Sequence, residues 1–182
     1  AYHITKNKEY AEIVEEVFSY VLRDMRHETG GFFSAEDADS EGEEGTFYLW
    51  TEQELFKILG EKDGSVISKI YGFSKNGNFL DEVSGKRNGS NIPYLSKSKS
   101  ILAEDMKIDL DELNNIIECS RKKLFEKRKE RVHPLKDDKI LTDWNGLMIA
   151  SLANGGIVLN NEQYIKEAIN AAAFVHEHLQ RN

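Results

Sequence analysis

No apolar run in this chain approaches the roughly 18–20 residues that cross a bilayer. The opening AYHITKNKEY has no apolar core segment, so it does not read as a signal peptide. Cysteine is nearly absent. Cys119 alone excludes a disulfide framework and a Cys-x-x-Cys redox or zinc pair, and its place in a helical pattern predicts a buried, inert thiol. An excess of basic residues is also lacking: 24 Lys and Arg stand against 32 Asp and Glu, a net charge of −8. That balance argues against a general binder of nucleic acid or anionic membrane, since phosphates call for Lys and Arg in excess. The local exception, RKKLFEKRKER (121–131), interleaves Glu126 and Glu130 with its cations and reads as a solvated helix face. These absences suit the cytoplasm. The chain has no initiator Met and stops while a helical pattern is running, so it reads as a piece of something longer.

What is present is mainly helical periodicity. Tyr10, Ile13, Val14, Val17, Phe18, Val21, Leu22 and Met25 recur at steps of three and one, which predicts a helix over 5–26 with one apolar face. Thr51-Glu52-Gln53-Glu54 is a capping box that opens a short helix closed by Gly60, with a second short helix over 63–72. Residues 73–93 read as a long loop, and 96–103 as one or two helical turns. A second capping pattern at Asp109 opens a long helix that Pro134 ends. Helices over 143–159 and 161–180, joined at Asn160-Asn161, read as an antiparallel hairpin. Gly155-Gly156 inside the first of them costs roughly 1 kcal/mol per residue against Ala, which a closely approaching helix would explain.

Two stretches carry candidate chemistry. The first is SAEDADSEGEEG (34–45), flanked by Phe32-Phe33 and Phe47-Tyr48-Leu49-Trp50, which read as the two strands of a small hairpin. Asp37, Asp39, Glu41 and Gly42 match half of an EF-hand loop, but the twelfth position is Tyr48 where a bidentate Glu is required, and the flanks are not helical. No metal is expected there. Ser40, Gly42 and Gly45 supply the turn, Glu43 and Glu44 face water, and Glu36, Asp37 and Asp39 are left near the strand end as candidates for lining a pocket. Paired carboxylates serve as general acid and base in sugar chemistry. A solvated acidic turn is the plainer alternative.

The second stretch is DDKILTDWNGLMI (137–149). Thr142 or Asp143 is expected to cap the helix, with Trp144 and Asn145 in its first turn. Carboxylate, indole and amide then meet at a helix start. Sugar sites combine an aromatic plate with polar hydrogen bonds, because sugar rings have apolar faces and polar edges. Ordinary capping beside a packed Trp is the alternative. The five histidines form no zinc pattern, and no G-x-S-x-G, Walker or G-x-G-x-x-G motif occurs.

GGFFSAEDADSEGEEGTFYLWT (30–51) and DDKILTDWNGLMIASLA (137–153) together resemble the thioredoxin-domain-containing proteins related to spermatogenesis-associated protein. The intervening RKKLFEKRKERVHP fits the same family. The resemblance implies a mainly α fold: the first part of a six-hairpin glycosidase-like domain, similar to N-acylglucosamine epimerases, with the family's thioredoxin-like domain absent. Residues 1–182 would then form a partial (α/α)6 toroid of helical hairpins with a small β-hairpin insertion. A sugar-type pocket at one end of the toroid is implied, with Glu36, Asp37, Asp39, Asp143, Trp144 and Asn145 matching the family's motifs. Asp37, Asp39 and Asp143 are the candidate catalytic carboxylates; Glu36, Trp144 and Asn145 are the candidate substrate contacts. No cofactor is implied. The epimerases' catalytic histidines are expected on later helices, so the chain alone is expected to show no turnover. Three functional readings follow: a carbohydrate-type hydrolase or isomerase acting on a sugar-like small molecule, a non-catalytic binding or scaffold domain, and, disfavoured by Tyr48, a calcium module. An incomplete toroid would also expose an apolar edge open to self-association.

Overall fold

A computed structural model describes residues 1–81 and 85–179; the predicted extension of the last helix to 180 lies outside them. The described residues are mainly helical, with seven helices and three two-stranded antiparallel ladders. They group into two compact units: residues 1–37 with 135–182, and residues 38–134.

The first unit holds α1 (Tyr2–Thr5), α2 (Lys8–Asp24), α6 (Thr142–Leu159) and α7 (Glu162–His178), with strands β1 (Ala35–Glu36) and β6 (Lys136–Asp137). The predicted 5–26 helix is shorter than expected because Asn7 caps it, accepting from the Glu9 amide. Only part of its apolar band is covered. Phe18, Val21 and Met25 join Phe32, Leu152, Tyr164, Ala168 and Ala171 in the core, while Ile13 stays 57% exposed and Val17 51%. The hairpin of α6 and α7 forms as read: Asn160 takes the left-handed conformation at φ 53°, and Asn161 caps α7 by accepting from the Gln163 amide.

The glycine pair in α6 also has the expected cause. A Cβ on Gly155 would lie 2.3 Å from the Phe18 ring of α2, and one on Gly156 would lie 2.5 Å from Ile165 and 3.0 Å from the Asn161 carbonyl oxygen of the turn. Backbone cannot yield as a side-chain tip can. Gly156→Ala is therefore expected to lose up to about 2 kcal/mol net, an overpacking cost of about 1–3 kcal/mol offset in part by a helix-propensity gain of about 1. Urea denaturation checks this; an unchanged or stabilised variant would show that α7 can move aside.

The second unit holds α3 (Glu52–Ile70), α4 (Lys99–Met106) and α5 (Leu110–Arg128), with β2 (Asp39–Ser40), β3 (Glu43–Glu44), β4 (Trp50–Thr51) and β5 (Ser90–Asn91). Its core is Leu55, Leu59, Val66, Ile67 and Ile70 of α3 against Leu102, Ala103, Leu113 and Ile117. The capping box at Thr51 and Glu54 is present in full. Gly60 leaves helical geometry at φ 76°, ψ 175°, so the two predicted short helices form one element kinked at that residue. Asp109 caps α5 by accepting from the Asp111 and Glu112 amides, but α5 ends at Arg128, well before Pro134.

The β-pairing differs from expectation. Phe32 bridges Arg26, and Trp50-Thr51 pairs with Asn91-Ser90, so the two aromatic runs do not pair with each other. The small hairpin lies inside the acidic stretch, where Asp39-Ser40 pairs with Glu44-Glu43. Glu41 and Gly42 both have positive φ, 57° and 82°, as a two-residue turn matching the strand twist requires. Cys119 is exposed, not buried. Buried Leu113, Ile117 and Ser120 define the inner side of α5, and position 119 lies about 200° around the helix from 117.

Candidate functional site

The acidic stretch and the Asp-Trp-Asn helix start belong to distant parts of the sequence, and the first unit ties them together at two points. The first is the β1–β6 ladder, which sets Ala35 opposite Asp137 and Glu36 opposite Lys136. It is extended by Ser34 N donating to Asp137 O at 3.3 Å and Asp37 N donating to Leu135 O at 2.7 Å. The second is Asn145, which is 1% exposed. Its Oδ1 accepts from Phe32 N at 2.8 Å, while Nδ2 donates to Phe32 O at 3.0 Å and to Leu141 O at 2.9 Å. Both polar groups of Phe32 are thus satisfied by one amide, and both amide hydrogens are used. Asn145 acts as a clamp behind the surface.

That clamp explains why the helix start lacks the cap expected of Thr142 or Asp143. Leu141 occupies the cap position and makes no side-chain cap bond. Thr142 and Asp143 are already inside the helix. Asp143 Oδ1 accepts from the next amide, Trp144 N, at 3.0 Å. Its negative charge in the first turn complements the helix dipole. Asp143 is exposed and Trp144 is half exposed.

Glu36 faces the other way. Its side chain is 11% exposed, accepts from Tyr20 Oη at 2.9 Å, and stands 3.9 Å from Lys136 Nζ. Lys136 Nζ in turn donates to Asp24 O at the end of α2. The carboxylate therefore pins α2 to the ladder. Tyr20 and Lys136 have no sequence signature that pairs them with Glu36, because the register of two-residue strands is not written in a local pattern. Asp137 is bridged by Lys139 Nζ at 3.0 and 2.9 Å. That hydrogen-bonded ammonium holds the Asp137 carboxyl below the ordinary aspartate range.

Of the six predicted site residues, Glu36, Asp37, Asp143, Trp144 and Asn145 fall in the first unit, on segments laced together by the ladder and the clamp. Asp37 is exposed at the end of the ladder. Asp39 falls in the second unit, exposed in the β2–β3 hairpin. Glu43 and Glu44 of that hairpin are exposed, as expected for a solvated tip. No group of three His, Cys, Asp or Glu among the described residues stands close enough to hold a metal ion. No described helix is long and apolar enough to cross a membrane.

Among the described residues, each unit has a concavity of similar size. One, of about 410 Å³, is lined by Asp63, Glu112, Asn115, Ile116 and Cys119. The other, of about 390 Å³, is an apolar groove between α2 and α6. Neither is lined by any of the six predicted site residues.

No protein-family model matches the chain. Comparison with curated proteins finds human spermatogenesis-associated protein 20, 32% identical over an alignment covering 98% of this chain and 25% of the relative. The mouse protein of the same name is 31% identical over the same shares, and an uncharacterised protein of Caenorhabditis elegans is 26% identical over 97% of this chain. The chain spans about a quarter of the length of the curated relatives it matches. It is related over nearly all of its own length to spermatogenesis-associated protein 20.

Proposed function

We propose that the chain is part of a carbohydrate-active helical domain, and that its first unit supplies one wall of the sugar site. The half-exposed indole of Trp144 carries this reading. It stands beside the exposed Asp143 carboxylate at a helix start fixed from behind by Asn145. A flat apolar plate next to charged acceptors suits a sugar ring, which stacks one face and hydrogen-bonds its edge. In this reading Trp144 stacks, Asp143 and Asp37 bind hydroxyls or move protons, and Glu36 and Asn145 position the wall. The reading does not need Asp39. A toroid of helical hairpins would complete the pocket with segments beyond this chain, so this chain alone is expected to bind sugars at millimolar strength and show no turnover.

A second reading is a non-catalytic binding or scaffold domain. It is favoured by the structural work the motif residues perform, with Asn145 fully engaged and Glu36 paired to Tyr20 and Lys136. An amide NMR titration with pooled neutral and amino sugars separates the two. Shifts confined to residues 34–37 and 143–146, and lost in Trp144→Ala, are expected for the carbohydrate reading. Absence of shifts at millimolar sugar favours the scaffold. Asp143→Asn then serves as the check, since the scaffold reading expects a stability loss of about 1 kcal/mol from the weakened helix start with no binding phenotype.

A further inference from the structure

Four asparagines in this chain precede a glycine: Asn76, Asn88, Asn145 and Asn154. Asparagine before glycine is the pair most prone to spontaneous deamidation. The glycine amide, unhindered by a side chain, attacks the asparagine Cγ; ammonia leaves, and water opens the resulting succinimide. In a folded chain this needs a glycine amide that is not hydrogen-bonded and a backbone able to close the five-membered ring. Three of the four pairs are denied it. Gly146 and Gly155 lie inside α6, where each backbone amide is tied to the carbonyl four residues back. Their asparagines are tied as well: Asn145 holds Phe32 and Leu141, and Asn154 Nδ2 donates to Ala150 O at 2.8 Å. Gly77 N donates to Ser74 O at 3.0 Å, and Gly77 is buried where a Cβ would lie 2.4 Å from Ser90 O.

Asn88-Gly89 differs. Asn88 is exposed, and among the described residues the Gly89 amide makes no hydrogen bond. A Cβ on Gly89 would meet only the Lys75 carbonyl oxygen, at 3.6 Å, so the pair has open space beside it. Asn88 Oδ1 accepts from Ser90 N at 3.0 Å, which folds the side chain across the Gly89 peptide. The same donor stabilises the oxygen on which negative charge develops as Cγ is attacked.

We propose that Asn88-Gly89 is a site of covalent self-modification, where succinimide closure and hydrolysis replace asparagine by isoaspartate and aspartate. Gly89 N loses its proton and bonds to Asn88 Cγ, and the side-chain nitrogen leaves with that proton as ammonia. Water then adds to either imide carbonyl. Opening at the backbone carbonyl of residue 88 leaves the chain running through the side chain, one methylene longer. The change falls beside the anchor of the 73–93 loop. Gly89 O accepts from Nδ2 of the fully buried Asn91, and Ser90-Asn91 is the strand paired with Trp50-Thr51. Gly77 packs closely against the Gly89-Ser90 backbone. An extra methylene displaces both contacts, so the isoaspartyl form is expected to have a lower thermal midpoint than the parent. The aspartyl form keeps the backbone and the acceptor for Ser90 N. The proposal does not rest on the carbohydrate reading.

Incubation of the folded chain in mildly alkaline buffer, followed by digestion and tandem mass spectrometry at intervals, tests it. Conversion at Asn88 is expected to be about tenfold or more faster than at Asn76, Asn145 and Asn154, where attack waits on local opening. In guanidinium chloride the four pairs are expected to convert at similar rates, which identifies the fold as the selector. Asn88→Ser keeps a hydroxyl acceptor for Ser90 N but cannot close the ring. It is expected to show neither the mass change at position 88 nor the fall in thermal midpoint that the parent develops with time. Conversion led by another asparagine in the folded chain, or spread evenly over all four, overturns the proposal. So does a folded chain whose Asn88 is intact when the unfolded chain has converted.

Discussion

Asn145→Leu is expected to destabilise the first unit by about 3 kcal/mol or more, although the substitution is close in size and the site is buried. The reason is the company the amide keeps. Its loss strands Phe32 N–H and Phe32 C=O, both paired only through this side chain among the bonds observed there, and removes a second donor from Leu141 O. Each buried polar group left without a partner costs about 1–3 kcal/mol, and burying a few extra methyl contacts does not offset two of them. Asn145→Asp separates hydrogen bonding from packing. The carboxylate can still accept from Phe32 N but can donate nothing. Burial without a compensating cation raises its folded pKa above the unfolded value, so stability is greatest at low pH and is lost as pH rises through that folded pKa. Urea denaturation of the three proteins at two pH values reads all of this. A loss below about 1 kcal/mol for Asn145→Leu would mean that water enters and replaces the clamp.

The clamp also shows where local sequence reasoning reaches and where it stops. The N-cap at Asp109, the capping box at Thr51 and the turn at Asn160-Asn161 were all legible, because each is decided within a few residues by backbone chemistry; the glycine pair at 155–156 announced a close approach but not that Phe18 of α2 makes it. The strand partners were not. Phe32 and Trp50 sit in aromatic runs that look alike, yet one bridges Arg26 and the other meets Asn91. Two-residue strands have too few side chains for alternation to fix a partner or a register. Thr142 and Asp143 suffered a related error. Both are good capping residues, and the pattern predicts a cap at one of them; the structure instead begins the helix at Thr142 and turns Asn145, expected in the first turn as a substrate contact, inward to a partner 113 positions away. Cys119 is different, since the helical spacing of Leu113 and Ile117 already places it on the outer side. For the candidate site, the sequence identified segments that the fold does bring together. It did not distinguish the side chains that face water, Asp37, Asp143 and Trp144, from those turned inward, Glu36 and Asn145.

The basic run 121–131 divides in the same way, and it yields the second large effect. Arg131→Ala is expected to cost the second unit about 2–4 kcal/mol, whereas Lys129→Ala, two residues away, stays within about 0.5 kcal/mol of the parent. Lys129 fits the solvated face that the composition suggests, paired on the surface with Glu126. Arg131 does not. Its Nη1 donates to the carbonyls of Thr46, Phe47 and Leu49 at 3.2, 3.0 and 2.6 Å, and its Nη2 lies 3.4 Å from Glu54 of the capping box. The guanidinium plane sits 4.0 Å from the centre of the buried Trp50 ring, near enough for a cation–π contact of about 1–2 kcal/mol. One side chain thus holds the 46–50 segment against the end of α5 and braces the start of α3. Arg131→Lys retains the charge but not the planar fork, so it is expected to recover less than half of the loss. If Lys at this position restored full stability, charge alone would suffice and the three carbonyl bonds would be incidental. If Ala and Lys both fell by about 2 kcal/mol or more while Lys129→Ala was silent, the fork over the backbone is what joins the aromatic run to its helix.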